Sequence, residues 1–132
     1  EFQKKNAEVN FQTVQIGLMY DRKVLYERIN QRTDEMIANG LIDEVKWLME
    51  NNYDYRKNYS IDTVGVKEVF KYFESEYSYD EMTAMIKQNT RRYAKRQMTW
   101  FRKDKRINWI NVDEATRDDD IAGKALEIFS AF

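Results

Sequence analysis

The chain contains no cysteine, no histidine, no proline and only four glycines in 132 residues. Without cysteine there can be no disulfide and no thiolate metal site, and an intracellular setting is favoured. Without histidine there is no imidazole base, no Ser-His nucleophilic pair and none of the usual zinc ligands. The glycines, Gly17, Gly40, Gly65 and Gly123, stand too far apart to make a phosphate-cradling loop, so the chain carries no nucleotide site of its own. No apolar run approaches the ~20 residues that span a bilayer, and the opening EFQKKNAEVN lacks the apolar stretch of a signal peptide. The expectation is a soluble chain without membrane contact. So few helix breakers imply long helices joined by short connections.

What is present is a core-forming composition and an uneven charge distribution. Hydrophobic residues make up 42% and aromatics 14%, enough for one folded domain despite 34% charged residues. Between Lys87 and Arg106 the chain reads KQNTRRYAKRQMTWFRKDKR, with nine Lys or Arg against the single Asp104. That segment carries +8 in a chain of net charge −1, leaving −9 on the other 112 residues. A basic segment interleaved with Tyr93, Trp100 and Phe101 is the footprint of a protein that grips a polyanion, most often nucleic acid. The competing reading is a solvated helical face whose acidic partners lie elsewhere in the fold.

The pattern predicts a mostly α chain with two short strands. Residues 1–12 read as a loose end, and 13–132 as the structured portion. A buried strand is expected over Thr13–Tyr20 and a second over Ile107–Val112. Asp21 is a candidate N-cap for a helix to about Asn39, with Gly40 as its left-handed stop. Further helices are expected over Leu41–Glu50, Val64–Phe73, Tyr79–Lys103 and from Asp118 to near Phe129. Ser78 and Glu81 form a capping box for the longest of them. Two strands so far apart in sequence do not make a complete sheet, and others would be needed to finish it.

Four features could carry chemistry. At about 100° per residue, Leu25, Ile29 and Met36 share an apolar stripe, and Arg32 falls on its edge. A guanidinium there needs an anion, either internal, such as Glu35 or Asp43, or the phosphate of a ligand held by the arginine fork. Thr63-Val64-Gly65-Val66-Lys67 opens a helix with room for a phosphate at its amides, or is an ordinary turn. Tyr93, Trp100 and Phe101 read as core in preference to base-stacking platforms. Asp118-Asp119-Asp120 diverge in direction on a helix start and complement its dipole without forming a metal site.

Three segments taken in order are more specific. The first is Leu25-Tyr26-Glu27-Arg28-Ile29-Asn30-Gln31-Arg32, followed by Met36, Gly40-Leu41 and Glu44-Val45. Then come Val64-Gly65-Val66-Lys67-Glu68, and after Ile86-Lys87 the run Thr90-Arg91-Arg92-Tyr93-Ala94-Lys95-Arg96-Gln97-Met98-Thr99-Trp100-Phe101-Arg102. Together they resemble the C-terminal part of the tRNA dimethylallyltransferases, also called tRNA isopentenyltransferases, over about residues 13–112. Val66 stands where that family usually has an aromatic, Asp62 where a basic residue sometimes occurs, and Asn52 and Ser75 replace turn glycines.

The resemblance implies the C-terminal part of a P-loop-type α/β prenyltransferase whose sheet is incomplete in this chain. Such enzymes move a dimethylallyl group from its diphosphate to the exocyclic amine of the adenosine 3′ of the tRNA anticodon, with Mg²⁺. Their phosphate loop and general-base Asp belong to the N-terminal part, so the resemblance implies no turnover by this chain alone and no cofactor of its own. It places Arg32 at the diphosphate as the catalytic contribution. It places Thr63, Val64, Gly65, Lys67, Arg91, Lys95, Arg96, Gln97, Thr99 and Arg102 against the tRNA anticodon stem-loop, with no metal ligand. It further implies a cytoplasmic monomer that meets dimethylallyl diphosphate through the N-terminal part. Two other readings stay open: a stand-alone helical RNA-binding module without catalysis, and a helical adaptor using its acidic remainder to bind a basic protein.

Overall fold

The computed structural model describes residues 11–132, and the expected loose end falls outside them for residues 1–10. Among the described residues the chain is mostly helical with two short parallel strands, as the pattern predicts. The described residues divide into two compact units, one of residues 22–101 and one of residues 11–21 with 102–132.

The unit of residues 22–101 is built from four helices: α1 (Arg22–Ala38), α2 (Leu41–Glu50), α3 (Val66–Phe73) and α4 (Tyr79–Phe101). A single 3-10 turn, Tyr59–Ile61, interrupts the loop between α2 and α3. Gly40 ends α1 at φ +106°, the left-handed geometry foreseen for it. The core joins Leu41 and Val45 of α2, Val69 and Phe70 of α3, and Met82 and Ile86 of α4. Leu41 and Val45 on α2, and Met82 and Ile86 on α4, are each four residues apart, so each helix buries one apolar stripe.

The chain leaves α2 and α3 in the same way. Tyr53 N–H reaches back to Leu48 C=O and Asn52 N–H to Met49 C=O, and likewise Glu76 to Lys71 and Ser75 to Tyr72. These are paired 6→1 and 5→2 bonds, which require a left-handed residue at the first position past the helix. Asn52 at φ +62° and Ser75 at φ +63° fill those positions, where glycine would be unstrained.

Several sequence expectations shift. The buried face of α1 is Val24, Ile29 and Thr33, with Met36 exposed, so Arg32 lies in solvent and not on the edge of a core stripe. Thr33 is tolerated inside because its hydroxyl donates to the Ile29 carbonyl at 2.9 Å. Helix α3 begins two residues later than expected, because Gly65 at φ +101° cannot be helical. Trp47 of α2 is exposed and stacks with Tyr53. Tyr93, Trp100 and Phe101, read as core, are all exposed, because no described side chain beyond Ile86 on α4 is buried. That reverses their balance in favour of a contact surface.

The other unit pairs β1 (Gln15–Tyr20) with β2 (Ile107–Val112) in parallel, in register from Gln15↔Ile107 to Tyr20↔Val112. Ile110 and Val112 alternate inward from β2, against which α5 (Asp118–Ser130) packs. Gly17 is required here. A Cβ at that position would stand 2.6 Å from Cζ3 of Trp109, the residue opposite it. Asp118, Asp119 and Asp120 form the first turn of α5, and Asp120 accepts the Arg117 N–H at 2.9 Å, consistent with a helix-start role.

The helix exits give a direct test. Ser75→Gly relieves left-handed strain but adds chain entropy to the unfolded state, for a net gain of about 0.5–1 kcal/mol. Urea denaturation should show a higher midpoint at unchanged slope, and no gain would mean that Ser75 is unstrained.

Candidate nucleic-acid interface

The interface residues descend from one buried carboxylate. Glu68, 3% exposed, sits on the first turn of α3. Its Oε2 accepts the Gly65 N–H at 2.7 Å, and its Oε1 accepts Asn89 Nδ2 of α4 at 2.7 Å. Asn89 Oδ1 in turn accepts Arg92 Nη1 at 3.4 Å. The Thr63–Lys67 turn and the start of the basic stretch are therefore linked through a single side chain. Gly65 also lies against α1 and α2, since a Cβ there would meet Met36 Cε and Leu41 Cδ2 at 3.7 Å.

The amides of that turn are partly used. Gly65 N–H goes to Glu68, and Lys67 N–H goes to the Thr63 carbonyl at 3.3 Å. The Lys67 ammonium is held at 3.0 Å by Asp62, which reduces the charge it can offer a phosphate. Thr63 is exposed, Val64 half-buried and Gly65 buried.

The cations of the basic stretch fall into two groups. Lys87 is matched by Asp34 at 2.7 Å, and Arg106 by Asp104 at 2.7 Å. The Arg106 side chain, with its backbone amide, holds the Asp104 carboxyl down at about 2. In contrast, Arg91, Arg92, Lys95 and Arg96 have no carboxylate partner among the described residues. Arg91 Nη1 donates to Asn30 Oδ1 of α1 at 3.1 Å, and Arg96 lies over the Tyr93 ring at 5.9 Å. Gln97 and Thr99 are exposed on the same helix. Positions 93, 96, 97 and 100 recur at helical spacing, so Tyr93, Arg96, Gln97 and Trp100 make one exposed cation-and-aromatic face. In the strand unit Arg102 is exposed, with Nη2 3.7 Å from the Met19 sulfur.

Arg32 has no ion pair or hydrogen bond with another described residue, so the internal bridges to Glu35 or Asp43 do not form. Among the described residues it is the only cation lining an open depression of ≈ 380 Å³, shared with Glu35, Met36, Asn39, Leu41 and Glu44. Met36 and Leu41 are also the neighbours of Gly65, which brings the Arg32 region and the Thr63–Lys67 turn together.

Glu68 and Asn89 were not among the candidate site residues, nor were Arg22, Tyr26 and Asn30. The Gly65–Glu68 spacing carried a capping signal, but nothing in sequence links Glu68 to Asn89, 21 residues on. Among the described residues no group of three or more acidic side chains could hold a metal ion, and no helix is long and apolar enough to cross a membrane.

Comparison with known proteins places this mostly helical chain with its parallel strand pair in a family. The model of the IPP transferase family matches residues 1–104, and the chain belongs to that family, resembling its C-terminal part. It is 45% identical over 115 residues to the tRNA dimethylallyltransferase of Christiangramia forsetii, covering 87% of this chain and 37% of that protein. To the Finegoldia magna protein of the same name it is 46% identical over 106 residues, 80% of this chain and 33% of the relative. The crystal structure of the tRNA isopentenylpyrophosphate transferase from Staphylococcus epidermidis superposes with a TM-score of 0.81 at 31% identity, covering 93% of this chain and 40% of that one. The corresponding Bacillus halodurans structure gives 0.75 at 38% identity, with 89% and 41% covered. The chain thus spans well under half the length of these relatives.

The Glu68 link predicts its own failure. Glu68→Ala strands the buried Gly65 amide and leaves Asn89 without its acceptor, at about 2–4 kcal/mol for the two groups. Thermal denaturation should show a large fall in midpoint, and a change of a degree or less would mean that water replaces the carboxylate.

Proposed function

We propose that this chain is the tRNA-gripping part of a tRNA dimethylallyltransferase. The full-length enzyme transfers dimethylallyl from its diphosphate to the exocyclic amine of the adenosine 3′ of the anticodon, acting as a cytoplasmic monomer. Family membership supports the reaction class. The observation that carries this chain's share is the run Arg91, Arg92, Lys95 and Arg96, four cations of α4 that no described carboxylate neutralises. Cations left unquenched on a folded surface favour a polyanionic partner. The exposed Tyr93 and Trp100 beside them offer faces on which unpaired bases can stack, as in single-stranded loops. Thr63, Val64, Gly65 and Lys67 flank the same surface through Glu68 and Asn89, with Lys67 the weakest contributor because of Asp62. Gln97 and Thr99 contribute polar contacts, and Arg102 a further cation.

Arg32 serves the diphosphate. As the amine attacks, the carbon–oxygen bond to the diphosphate breaks and negative charge grows on the leaving oxygens. A guanidinium aimed at those oxygens stabilises the transition state more than the ground state. With no partner among the described residues its fork is available, and the depression it lines is open to solvent. The described residues do not fit a Mg²⁺ site, since no group of three or more acidic side chains among them could hold the ion.

Two measurements test the reading. Fluorescence anisotropy with an anticodon stem-loop at several salt concentrations should give a log–log slope that falls by about one unit for each of Lys95→Gln and Arg96→Gln. An unchanged slope in the double variant would mean that this face does not meet RNA. In the full-length enzyme Arg32→Ala should lower kcat by about 10²–10³ with stem-loop affinity nearly intact, and Arg32→Lys should recover part of the loss. Normal kcat in a folded Arg32→Ala enzyme would remove the residue from the reaction. Stem-loop binding with no turnover by the wild-type full-length protein would favour the non-catalytic module.

A further inference from the structure

The basic helix does not act alone. Tyr26, on α1, lies between cations from two helices. Arg22 Nε donates to its hydroxyl oxygen at 3.3 Å, and the Arg22 guanidinium carbon stands 5.5 Å from its ring centroid. The Arg91 guanidinium carbon, from α4, stands 5.6 Å from the same centroid. Arg22, Arg91 and Lys95 all act on the phenol, which is held below the usual tyrosine range chiefly by the Arg22 hydrogen bond.

The choice of partners is the informative point. Elsewhere in this unit Arg56 is fixed by Glu74 and Asp54, Lys87 by Asp34 and Lys67 by Asp62, each with its charge quenched. Arg22 and Arg91 are fixed instead by neutral acceptors, the Tyr26 hydroxyl and the Asn30 side-chain carbonyl. A neutral acceptor orients a guanidinium without cancelling its charge. Each guanidinium has five N–H donors and spends one on these bonds, which leaves a fork free. The Tyr26 oxygen accepts from Arg22, so its own proton is free to be donated. Gathering two guanidinium groups around one phenol is unfavourable until an anion joins them. An incoming phosphate would take charge-assisted bonds from the arginines and one bond from the phenol.

We propose that Arg22, Tyr26 and Arg91 form a seat for one phosphate group of an RNA backbone, with α1 supplying two of its three groups. The assignment rests on the RNA-binding reading above and extends it from α4 to two residues, Arg22 and Tyr26, of a second helix. Phosphate chemistry could also come from a small diphosphate, and the two sources separate experimentally.

The test uses the full-length protein, stem-loop anisotropy across salt concentrations, and the Tyr26 ring resonances followed by NMR. Arg22→Gln should weaken stem-loop binding several-fold and reduce the slope magnitude by about one unit, at an unchanged melting temperature. Arg22→Lys should keep the slope and lose part of the affinity. Tyr26→Phe, which keeps the ring but not the hydroxyl, should weaken binding with no change of slope. Stem-loop RNA should move the Tyr26 resonances saturably, and Arg22→Gln should abolish that movement. If Lys95→Gln and Arg96→Gln lose their units of slope while Arg22→Gln loses neither slope nor affinity, RNA binds without this seat and the proposal is overturned. A lower melting temperature with unaltered RNA binding in both Arg22 variants would make the cluster a structural clamp and overturn it equally. Resonance shifts with inorganic diphosphate but not with stem-loop RNA would assign the seat to a small ligand and overturn the RNA source. If the wild-type protein binds no stem-loop at all, the reading under Proposed function fails. Inorganic phosphate then decides whether the cluster holds phosphate, by whether it moves Tyr26 in an Arg22-dependent way.

Discussion

Glu68 is a carboxylate with almost no contact with water, and the helical unit is organised around its two oxygens. One oxygen holds the Gly65 amide and the other holds Asn89, so the glycine turn before α3 and the middle of α4 cannot move independently without breaking a buried polar bond. A buried acceptor that loses its donors is costly, which makes this arrangement all-or-none. Gly65 follows from the same constraint. Its φ of +101° turns the amide back toward Glu68 and lays the backbone against Met36 and Leu41. The depression that Arg32 lines is therefore built on the same turn that Glu68 secures.

Charge is then distributed by partner type. Carboxylates neutralise the cations that fasten one element to another, as Asp34 does for Lys87 and Glu74 for Arg56. Neutral groups hold the cations that keep their field: Asn30 for Arg91, Asn89 for Arg92 and Tyr26 for Arg22. The first arrangement lends modest stability and the second preserves electrostatic reach toward a polyanion. The basic stretch is thus less positive than a residue count implies, and four of its cations without a described carboxylate partner, Arg91, Arg92, Lys95 and Arg96, lie together on α4.

Much of the secondary structure was legible in the sequence because its signals are local. Gly40 as a left-handed stop, the Ser78–Glu81 box and the two β-rich runs all depend on residues within a few positions of one another. The family resemblance was legible for a similar reason, since Thr90–Arg102 is a long and chemically unusual run. What failed was the assignment of faces. Tyr93, Trp100 and Phe101 are aromatic residues at helical spacing, and periodicity cannot say whether a neighbour covers them. On α4 the buried positions end at Ile86, so the same spacing means core before that point and surface after it. Arg32 was misplaced by the same ambiguity, because α1 turns Val24, Ile29 and Thr33 inward and leaves Leu25 and Met36 at the margin.

By itself, the sequence determined the helical class, the positions of most turns, the concentration of positive charge and the family. Each of these is set by composition or by neighbours along the chain. Only the tertiary structure decided which cations keep their charge, which aromatics face solvent, and that Glu68 joins a turn to a helix 21 residues away. Those outcomes depend on which side chains from distant segments meet at hydrogen-bonding distance. A carboxylate or an amide at the end of a guanidinium looks alike in sequence, yet one cancels the charge and the other aims it.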